Sequence, residues 1–368
     1  MKRFLYITLI CLISQPAFAQ SKKDALAEFD WLTGYVERNY PAYKLKTQNK
    51  EKEWDKYVQS LRKAVVTHPD TLPIILDNYL KYFNDAHLWL TLSNRHLFQD
   101  IIQRERKRYE LHNSSQPQSI NMYYTAKAMN DSTFFLRIPS FANEMANKIV
   151  EDNLESIKSR PYLIIDLRSN SGGDDTNYKS LMPLIYSKPY IKHGVELYAT
   201  EDFLKMYSDI IVQNPNAEWV DYYKRMAYAV EENLGGYVLR PDSKRLDTIK
   251  QDTIYFYPKK VGILIHRQNA SSAEQFILEA RESEKVVLFG NENTKGAIDL
   301  SNVYTIESPL KWFKLHIPTT RSCRLPDIII DGKGIAPHIP IPYKESLQEK
   351  DNIGQEIWYI ERVLRGIN

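Results

Sequence analysis

Residues 22–92 alternate apolar and polar positions at the spacing of amphipathic helices. Apolar side chains recur at Leu26, Phe29, Leu32 and Val36, and Tyr40-Pro41 then stops the pattern, because the residue before a proline disfavours helix. A second run covers residues 53–66, and a third begins at 70–71 with a proline in its first turn. The pattern predicts an N-terminal helical domain over residues 20–92.

From residue 131 onward, short apolar runs alternate with helical segments. The predicted strands are 134–138, 162–167, 261–265 and 286–289, with 312–317 and 328–330 as further candidates. The predicted helices are 145–160, 176–187, 202–212, 272–282 and a closing helix at 353–364. Because the strands at 162–167 and 261–265 are almost continuously apolar, we expect a sheet covered on both faces. The alternation predicts an α/β core over 131–345, an irregular connection over 93–130 and a C-terminal helix within 346–368.

The first nineteen residues have the three parts of a secretory signal peptide. Lys2 and Arg3 precede an apolar run, and Ala17-Phe18-Ala19 supplies the small residues for cleavage before Gln20. The apolar run is too short to cross a bilayer, which needs about twenty residues. We therefore expect an exported protein, periplasmic or extracellular, without a stable membrane anchor. Cys323 would be the one cysteine of the mature chain, so no internal disulfide is expected.

Charge and histidine spacing exclude other classes of function. The chain has 49 Lys and Arg against 46 Asp and Glu, and it carries no long basic run. Nucleic acid is therefore not an expected partner. The eight histidines show no metal-binding spacing such as H-E-x-x-H, so we predict no metal and no cofactor.

The sharpest local feature is a strand, turn and helix over residues 261–282. Ser271 lies where the predicted helix begins, close to backbone N–H groups that could stabilise an oxyanion. Ser271 and Glu274 also match the S-x-x-E capping box of many ordinary helices. On this segment alone, capping is the more common explanation.

A second feature follows the other buried strand, where Asp166-Leu167-Arg168-Ser169-Asn170-Ser171-Gly172-Gly173 ends in paired glycines. Glycine lets the backbone approach a ligand closely or adopt a positive φ, and either N–H could face an oxyanion. A tight turn between strand and helix is the simpler alternative.

These two segments, with two later ones, resemble the tail-specific (C-terminal processing) and tricorn-like serine peptidases. The family pattern is D-L-R-x-N-x-G-G, T-A-S-x-x-E, a Gly-Glu-x-Thr-x-Gly turn and G-x-G-I-x-P-D. The last two motifs match Gly290-Asn291-Glu292-Asn293-Thr294-Lys295-Gly296 and Gly332-Lys333-Gly334-Ile335-Ala336-Pro337-His338. The resemblance spans roughly residues 75–345 and implies a crotonase-like α/β core with a helical N-terminal domain.

The resemblance implies a role for each matching residue. Ser271 would be the nucleophile, with an oxyanion hole made by the N–H of Ser272 and that of Gly172 or Gly173. The tricorn-like branch takes its base from a D-x-H segment, here Asn84-Asp85-Ala86-His87-Leu88, and an acidic orienter that would be Asp331. The simpler alternatives are a histidine at a helix end and an Asp-Gly turn.

Lys295 is the alternative base, since tail-specific members use a lysine after the Gly-Glu-x-Thr turn. We favour His87, because Lys295 lies before one glycine rather than between two and would need burial to lower its pKa.

Several positions depart from the family pattern. His338 replaces the last Asp, Asn269 stands where Thr is usual, and Asn291 is inserted in the third motif. The segment between His87 and Phe134 is too short for a PDZ domain. The sequence therefore predicts an exported serine endopeptidase that acts on peptides or proteins through an acyl-enzyme. The alternative is a catalytically inactive relative that binds peptides or envelope partners.

Overall fold

The structure is a computed structural model that describes residues 21–100, 102–103, 123–342 and 354–367. The predicted signal peptide, Met1 to Ala19, lies outside the described residues, as does most of the 93–130 connection.

Eleven α-helices lie within the described ranges. In chain order they are α1 Lys22–Asn39, α2 Tyr43–Thr47, α3 Glu51–Thr67, α4 Leu72–Lys81, α5 Met145–Asp152, α6 Leu154–Lys158, α7 Met182–Ile185, α8 Glu201–Gln213, α9 Val220–Glu231, α10 Ser272–Ala280 and α11 Gln355–Arg365. Short 3-10 helices cover Pro69–Thr71, Arg95–Phe98 and Asp175–Leu181. As expected, α1 ends just before Tyr40-Pro41. Ser21 caps its start, since the Ser21 hydroxyl accepts the Asp24 N–H at 3.0 Å.

Thirteen strands lie within the same ranges. They are β1 Trp89–Leu92, β2 Thr125–Ala128, β3 Thr133–Arg137, β4 Tyr162–Asp166, β5 Tyr190–His193, β6 Val195–Tyr198, β7 Tyr237–Leu239, β8 Leu246–Ile249, β9 Lys260–Leu264, β10 Val286–Gly290, β11 Leu300–Glu307, β12 Phe313–Ser322 and β13 Ile339–Pro340.

The central sheet has the order β13-β10-β9-β4-β3-β2, and its strands are parallel except for β2. One face packs against α10 through residues such as Ile165 and Phe276, and the other packs against α11 through Ile164 and Ile360. The expectation of an α/β core with a sheet covered on both faces is confirmed. The carboxyl ends of β4 and β9 are neighbours, so the loops that follow them meet at one edge.

The N-terminal helices pack on a second sheet, ordered β1-β12-β6-β7 with β11 also paired to β12. Helical residues such as Phe29, Leu76 and Tyr79 share one apolar cluster with Phe313 and Leu315 of β12. The chain leaves α4, passes the segment 84–88 and joins this sheet as β1. This arrangement anchors the segment that carries the predicted base on both sides.

Three details differ from the sequence prediction. Residues 328–330 are not a strand, because the Ile330 N–H binds the Asp299 carboxylate at 2.6 Å instead of a neighbouring strand. The helix predicted over 145–160 breaks at Asn153, whose amide donates to the Ile149 carbonyl. The connection over 93–130 contains strand β2, an edge strand beside β3.

The short elements between residues 190 and 249 were mostly missed by the prediction. Strands β5 and β8 form a two-stranded sheet, and β6 and β7 extend the second sheet beside helices α8 and α9. In the described part of the chain, no helix has the length and apolar character needed to cross a membrane.

Candidate active site

The loop after β4 is fixed by a buried ion cluster. Asp166 accepts hydrogen bonds from Arg168 at 2.9 and 3.0 Å and from Arg137 at 2.9 Å. Burial alone would raise the pKa of Asp166, but the two guanidinium groups hold it at about 2. Asn170, also buried, accepts the Gly172 N–H at 2.9 Å and donates to the Ile138 carbonyl. The D-L-R-x-N part of the motif therefore builds the loop that presents the glycines.

Asn269, which departs from the family pattern, joins the loops after β4 and β9. Its side-chain amide donates to the carbonyls of Leu167 and Asn170, and its oxygen accepts the His266 N–H at 2.7 Å. Because all of these groups are buried, losing the amide would leave backbone groups unpaired. The asparagine thus holds the two site loops together in the place of the usual threonine.

Ser271 lies on the sharp turn between β9 and α10, with φ 56° and ψ −128°. A positive φ is strained for a residue with a side chain, and such strain is concentrated at functional sites. The Ser271 hydroxyl makes no capping hydrogen bond, and its N–H donates to the Ala297 carbonyl at 2.8 Å. The capping-box interpretation of Ser271 and Glu274 is therefore wrong.

Glu274 instead clamps the loop of the third motif. Its buried carboxylate accepts the N–H groups of Gly296 and Ala297 at 2.8 and 2.7 Å, and it binds the Thr294 hydroxyl. Burial raises the pKa of Glu274, and the three hydrogen bonds oppose that rise. Since the Ala297 carbonyl holds the Ser271 N–H, Glu274 supports the serine turn indirectly.

The two glycines differ in what their N–H groups do. The Gly172 N–H is engaged by Asn170, whereas the N–H groups of Gly173 and Ser272 have no acceptor within the described residues. Gly172 has φ +104°, and a Cβ there would lie 2.8 Å from the Ser271 Cβ and 3.0 Å from the Ser272 nitrogen. Glycine at this position therefore permits the close approach of the two loops.

His87 lines the same cleft as Ser271, on the segment between α4 and β1. The Asp85 carboxylate fixes this segment by accepting the His87 N–H at 2.8 Å and the Tyr40 hydroxyl at 2.9 Å. Burial lowers the pKa of the imidazole and the charge of Lys295 adds to this, while the Leu300 carbonyl opposes it. Near neutral pH the ring is therefore a neutral proton acceptor.

The carboxylates of Asp331 and Asp299 each accept backbone N–H groups from the segment that contains the other residue. One oxygen of Asp331 accepts the N–H groups of Ile298 and Asp299 at 2.7 Å each, and Asp299 accepts those of Ile330 and Asp331 at 2.6 and 2.8 Å. Burial raises the pKa of Asp331 to about 7, and the nearby charges of Asp299 and Asp85 add to the rise. Its second oxygen, Oδ2, is buried without a hydrogen-bond partner among the described residues.

The predicted catalytic groups come together in part. Ser271 and His87 line one cleft of about 410 Å³, with Ser272 and Gly173 also on its wall. No hydrogen bond joins Ser271, His87 and Asp331 in the described structure, and the His87 Nδ1 is buried without a partner. Asp331 is not among the residues that line the cleft, and it lies in the segment whose Gly332 approaches the Asn84 side-chain amide.

Lys295, the alternative base, is exposed to solvent. Its backbone N–H donates to the Asn269 carbonyl at 2.9 Å, which fixes the loop but leaves the side chain at the surface. A lysine base has to be desolvated to lose its proton near neutral pH. The exposure of Lys295 therefore favours His87.

His338, another departure from the family pattern, has a structural role at the edge of the central sheet. It exchanges hydrogen bonds with Leu288: its N–H donates to the Leu288 carbonyl at 2.8 Å, and its Nδ1 accepts the Leu288 N–H at 3.2 Å. The substitution therefore lies outside the cleft that holds Ser271.

Sequence reasoning missed three basic residues of the cleft: His193, Arg240 and Arg324. His193 ends the short strand β5, Arg240 directly follows the short strand β7, and Arg324 lies two residues after the long strand β12. No motif marks these positions, and β5 and β7 are too short for a clear alternation of apolar and polar residues. Only the fold brings them to the cleft.

Comparison with known proteins supports the fold and the family. The solved structure of mature CPAF complexed with lactacystin matches with a TM-score of 0.62 at 12% identity, covering 94% of this chain and 98% of that one. The crystal structure of a predicted peptidase from Parabacteroides merdae ATCC 43184 matches with a TM-score of 0.53 at 14% identity, covering 88% of this chain and 90% of that one. At such identities these likenesses show the fold alone. No curated protein matches the chain.

The family model of Peptidase family S41 matches residues 133–341, which is more than half of the chain and contains the loops of Gly172, Ser271 and Asp331. The expectation of a tail-specific serine peptidase fold is confirmed, and the chain belongs to peptidase family S41.

Proposed function

We propose that this protein is an exported serine endopeptidase in which Ser271 is the nucleophile and His87 is the general base. The observation that carries the proposal is one cleft lined by a serine on a strained turn, by a neutral histidine and by two N–H groups that have no acceptor among the described residues. This is the set of parts that acyl transfer requires.

In the proposed reaction His87 accepts the hydroxyl proton as the Ser271 oxygen attacks the peptide carbonyl carbon. The negative charge that develops on the carbonyl oxygen is stabilised by the N–H groups of Ser272 and Gly173. The imidazolium then gives its proton to the leaving amine, and an acyl-enzyme remains on Ser271. Water, activated by the same imidazole, hydrolyses the ester and restores the serine.

Asp331 is proposed as the group that orients His87. The Nδ1 of His87 and the Oδ2 of Asp331 are both buried and both without a partner among the described residues. A proton on Nδ1 that donates to this oxygen satisfies both groups and leaves Nε2 as the acceptor for the serine proton. Formation of the imidazolium would also favour ionisation of Asp331, which burial otherwise disfavours.

A fluorophosphonate probe tests the nucleophile directly. We expect covalent labelling of the wild-type protein on Ser271 and none in Ser271→Ala, with folding of both checked by circular dichroism. His87→Ala should abolish labelling, whereas Lys295→Ala should retain it. If only the lysine change abolishes labelling, the proposed base is wrong.

The second candidate function is peptide binding without catalysis. It is favoured by the lack of a hydrogen bond between His87 and either of its proposed partners. A folded wild-type protein that is not labelled and does not hydrolyse casein would support it.

Export is proposed from the signal-peptide pattern of Met1 to Ala19. The test is N-terminal sequencing of the protein recovered from the periplasm or the medium, which should begin at Gln20. Recovery of only the uncleaved chain inside the cell would contradict export.

A further inference from the structure

Three basic side chains, His193, Arg240 and Arg324, line the cleft, and they differ in whether they carry a charge and whether that charge has a partner. Arg324 forms an ion pair with the buried Asp299 at 3.3 Å. His193 has its pKa lowered by burial and by the charge of Arg324, so its ring is neutral near pH 7. Arg240 is different: within the described ranges its guanidinium makes no hydrogen bond and no ion pair, although it is partly buried in the cleft.

The acidic groups of the cleft do not compensate Arg240. The Asp174 carboxylate accepts both the N–H and the hydroxyl of Thr176 at 2.7 Å. Asp175 faces Lys192 at 3.6 Å, and Lys192 in turn pairs with Glu279 at 2.7 Å. Each of these carboxylates therefore already has a partner, and none of them is a counter-ion of Arg240.

Arg240 directly follows strand β7, and its charge reaches helix α8. Burial raises the pKa of Tyr207 on that helix to about 12, and the positive charge of Arg240 opposes the rise. Arg240 therefore lines the cleft at the end of a strand of the second sheet, near enough to α8 for its charge to act on Tyr207. A partly desolvated guanidinium binds carboxylates well because its planar N–H groups match the two oxygens.

We propose that Arg240 is a substrate-binding residue that selects peptides carrying a carboxylate near the bond to be cut. The inference rests on the proposed peptidase function and names its substrate class. The carboxylate could be an Asp or Glu side chain or the free carboxyl terminus of the substrate, and the two sources share the same chemistry.

The test uses four peptides of equal length with one central sequence. They carry a central Glu or Gln, each with either a free or an amidated carboxyl terminus. We expect kcat/KM to be at least about tenfold higher for a peptide with the carboxylate that Arg240 binds than for the matching peptide without it. One charge-assisted contact gives roughly that ratio. If the amidated Glu peptide is preferred over the amidated Gln peptide, Arg240 binds an acidic side chain. If the Gln peptide with a free carboxyl terminus is preferred over its amidated form, Arg240 binds the carboxyl terminus of the substrate.

Arg240→Gln should remove the preference, and Arg240→Glu should invert it toward a fifth peptide of the same length that carries a central Lys. The matched control is Arg225→Gln on helix α9, which changes the same residue type at an exposed position paired with Asp242. The control should keep the wild-type ratio between charged and neutral peptides.

A binding measurement separates this inference from the proposed chemistry. Ser271→Ala, and the double variant with Arg240→Gln, are titrated with the same peptides labelled with a fluorophore, and anisotropy is recorded. Selective binding that depends on Arg240 supports the inference even if the wild type hydrolyses nothing, in which case only the catalytic proposal fails. Equal affinity for charged and neutral peptides, or no binding of any peptide, overturns it.

Discussion

Replacement of Gly172 by alanine tests whether close approach of the two site loops is required for catalysis. The new Cβ would lie 2.7 Å from the Ala270 carbonyl oxygen and 2.8 Å from the Ser271 Cβ. Carbon atoms prefer separations of about 3.5 Å or more, so the serine turn has to move by roughly 0.7 Å. Displacement of a reacting group by about 1 Å costs on the order of 100-fold in rate. We expect the rate of fluorophosphonate labelling to fall by about 10- to 100-fold.

The matched control is Gly235→Ala. Gly235 also has a positive φ, +81°, but a Cβ there meets no atom within 4 Å. Both substitutions carry the backbone strain of about 1–2 kcal/mol, which should lower Tm by several degrees. Only Gly172→Ala adds the contact with Ser271.

The two variants are compared by labelling rate, casein hydrolysis and thermal unfolding. Gly235→Ala should label within about twofold of the wild type, because surface changes away from a site have small effects. If Gly172→Ala folds and labels as fast as Gly235→Ala, the close approach does not position the nucleophile and our reasoning about the turn is refuted.

Three further changes test the groups around the serine. Lys295→Gln removes a positive charge that lowers the pKa of His87, so the acidic limb of the kcat/KM profile should move to higher pH. Because the pKa of Asp331 is raised to about 7 in the native state, Asp331 keeps its proton between about pH 4 and 7, where the unfolded chain has already lost it. The stability of the wild type should therefore fall as the pH rises through this range. Asp331→Asn should make Tm depend less on pH there. Glu274→Ala should destabilise the protein by about 2–3 kcal/mol and slow labelling, because two buried N–H groups lose their acceptor.

Two of these changes, Asp331→Asn and Glu274→Ala, have a matched control. Asp327→Asn, on an exposed residue near Asp331, should leave the dependence of Tm on pH as in the wild type. Glu282→Ala, just beyond α10, should change stability by less than about 0.5 kcal/mol. An acidic limb that stays in place or moves to lower pH in Lys295→Gln would contradict the stated influence of the lysine on His87.

The sequence predicted the parts of the fold that have a strong periodic pattern. The helices α1 and α3 follow from their apolar spacing, and the parallel strands β4 and β9 follow from continuous apolar runs. The short strands β5–β8 escaped prediction because three or four residues show too little alternation. Their order in the sheets depends on long-range pairing, such as that of β6 with β12.

The sequence motifs anticipated that the loops of Gly172 and Ser271 lie together, while the catalytic roles of these residues stay predictions. Local pattern failed where a distant segment supplies the partner: Glu274 binds the loop of Gly296 rather than the start of its own helix. Residues 328–330 are apolar enough for a strand, yet the carboxylate of Asp299 takes their backbone N–H. The lack of an ion-pair partner for Arg240 among the described residues could not be read from the sequence, because it depends on which acidic side chains the fold brings near it.

The reciprocal hydrogen bonds between the segments of Asp299 and Asp331 affect when during synthesis the protein can become active. These residues belong to the last fifth of the polypeptide, while the histidine segment emerges from the ribosome among the first ninety residues. A growing chain, or one truncated before Ile330, keeps Arg324 as the ion-pair partner of Asp299 but lacks the two N–H groups that the buried Asp299 carboxylate also accepts, and it lacks Asp331. We therefore expect the enzyme to be inactive during its own synthesis. Peptidase activity should appear only after the segment that contains Asp331 has packed against the segment that contains His87.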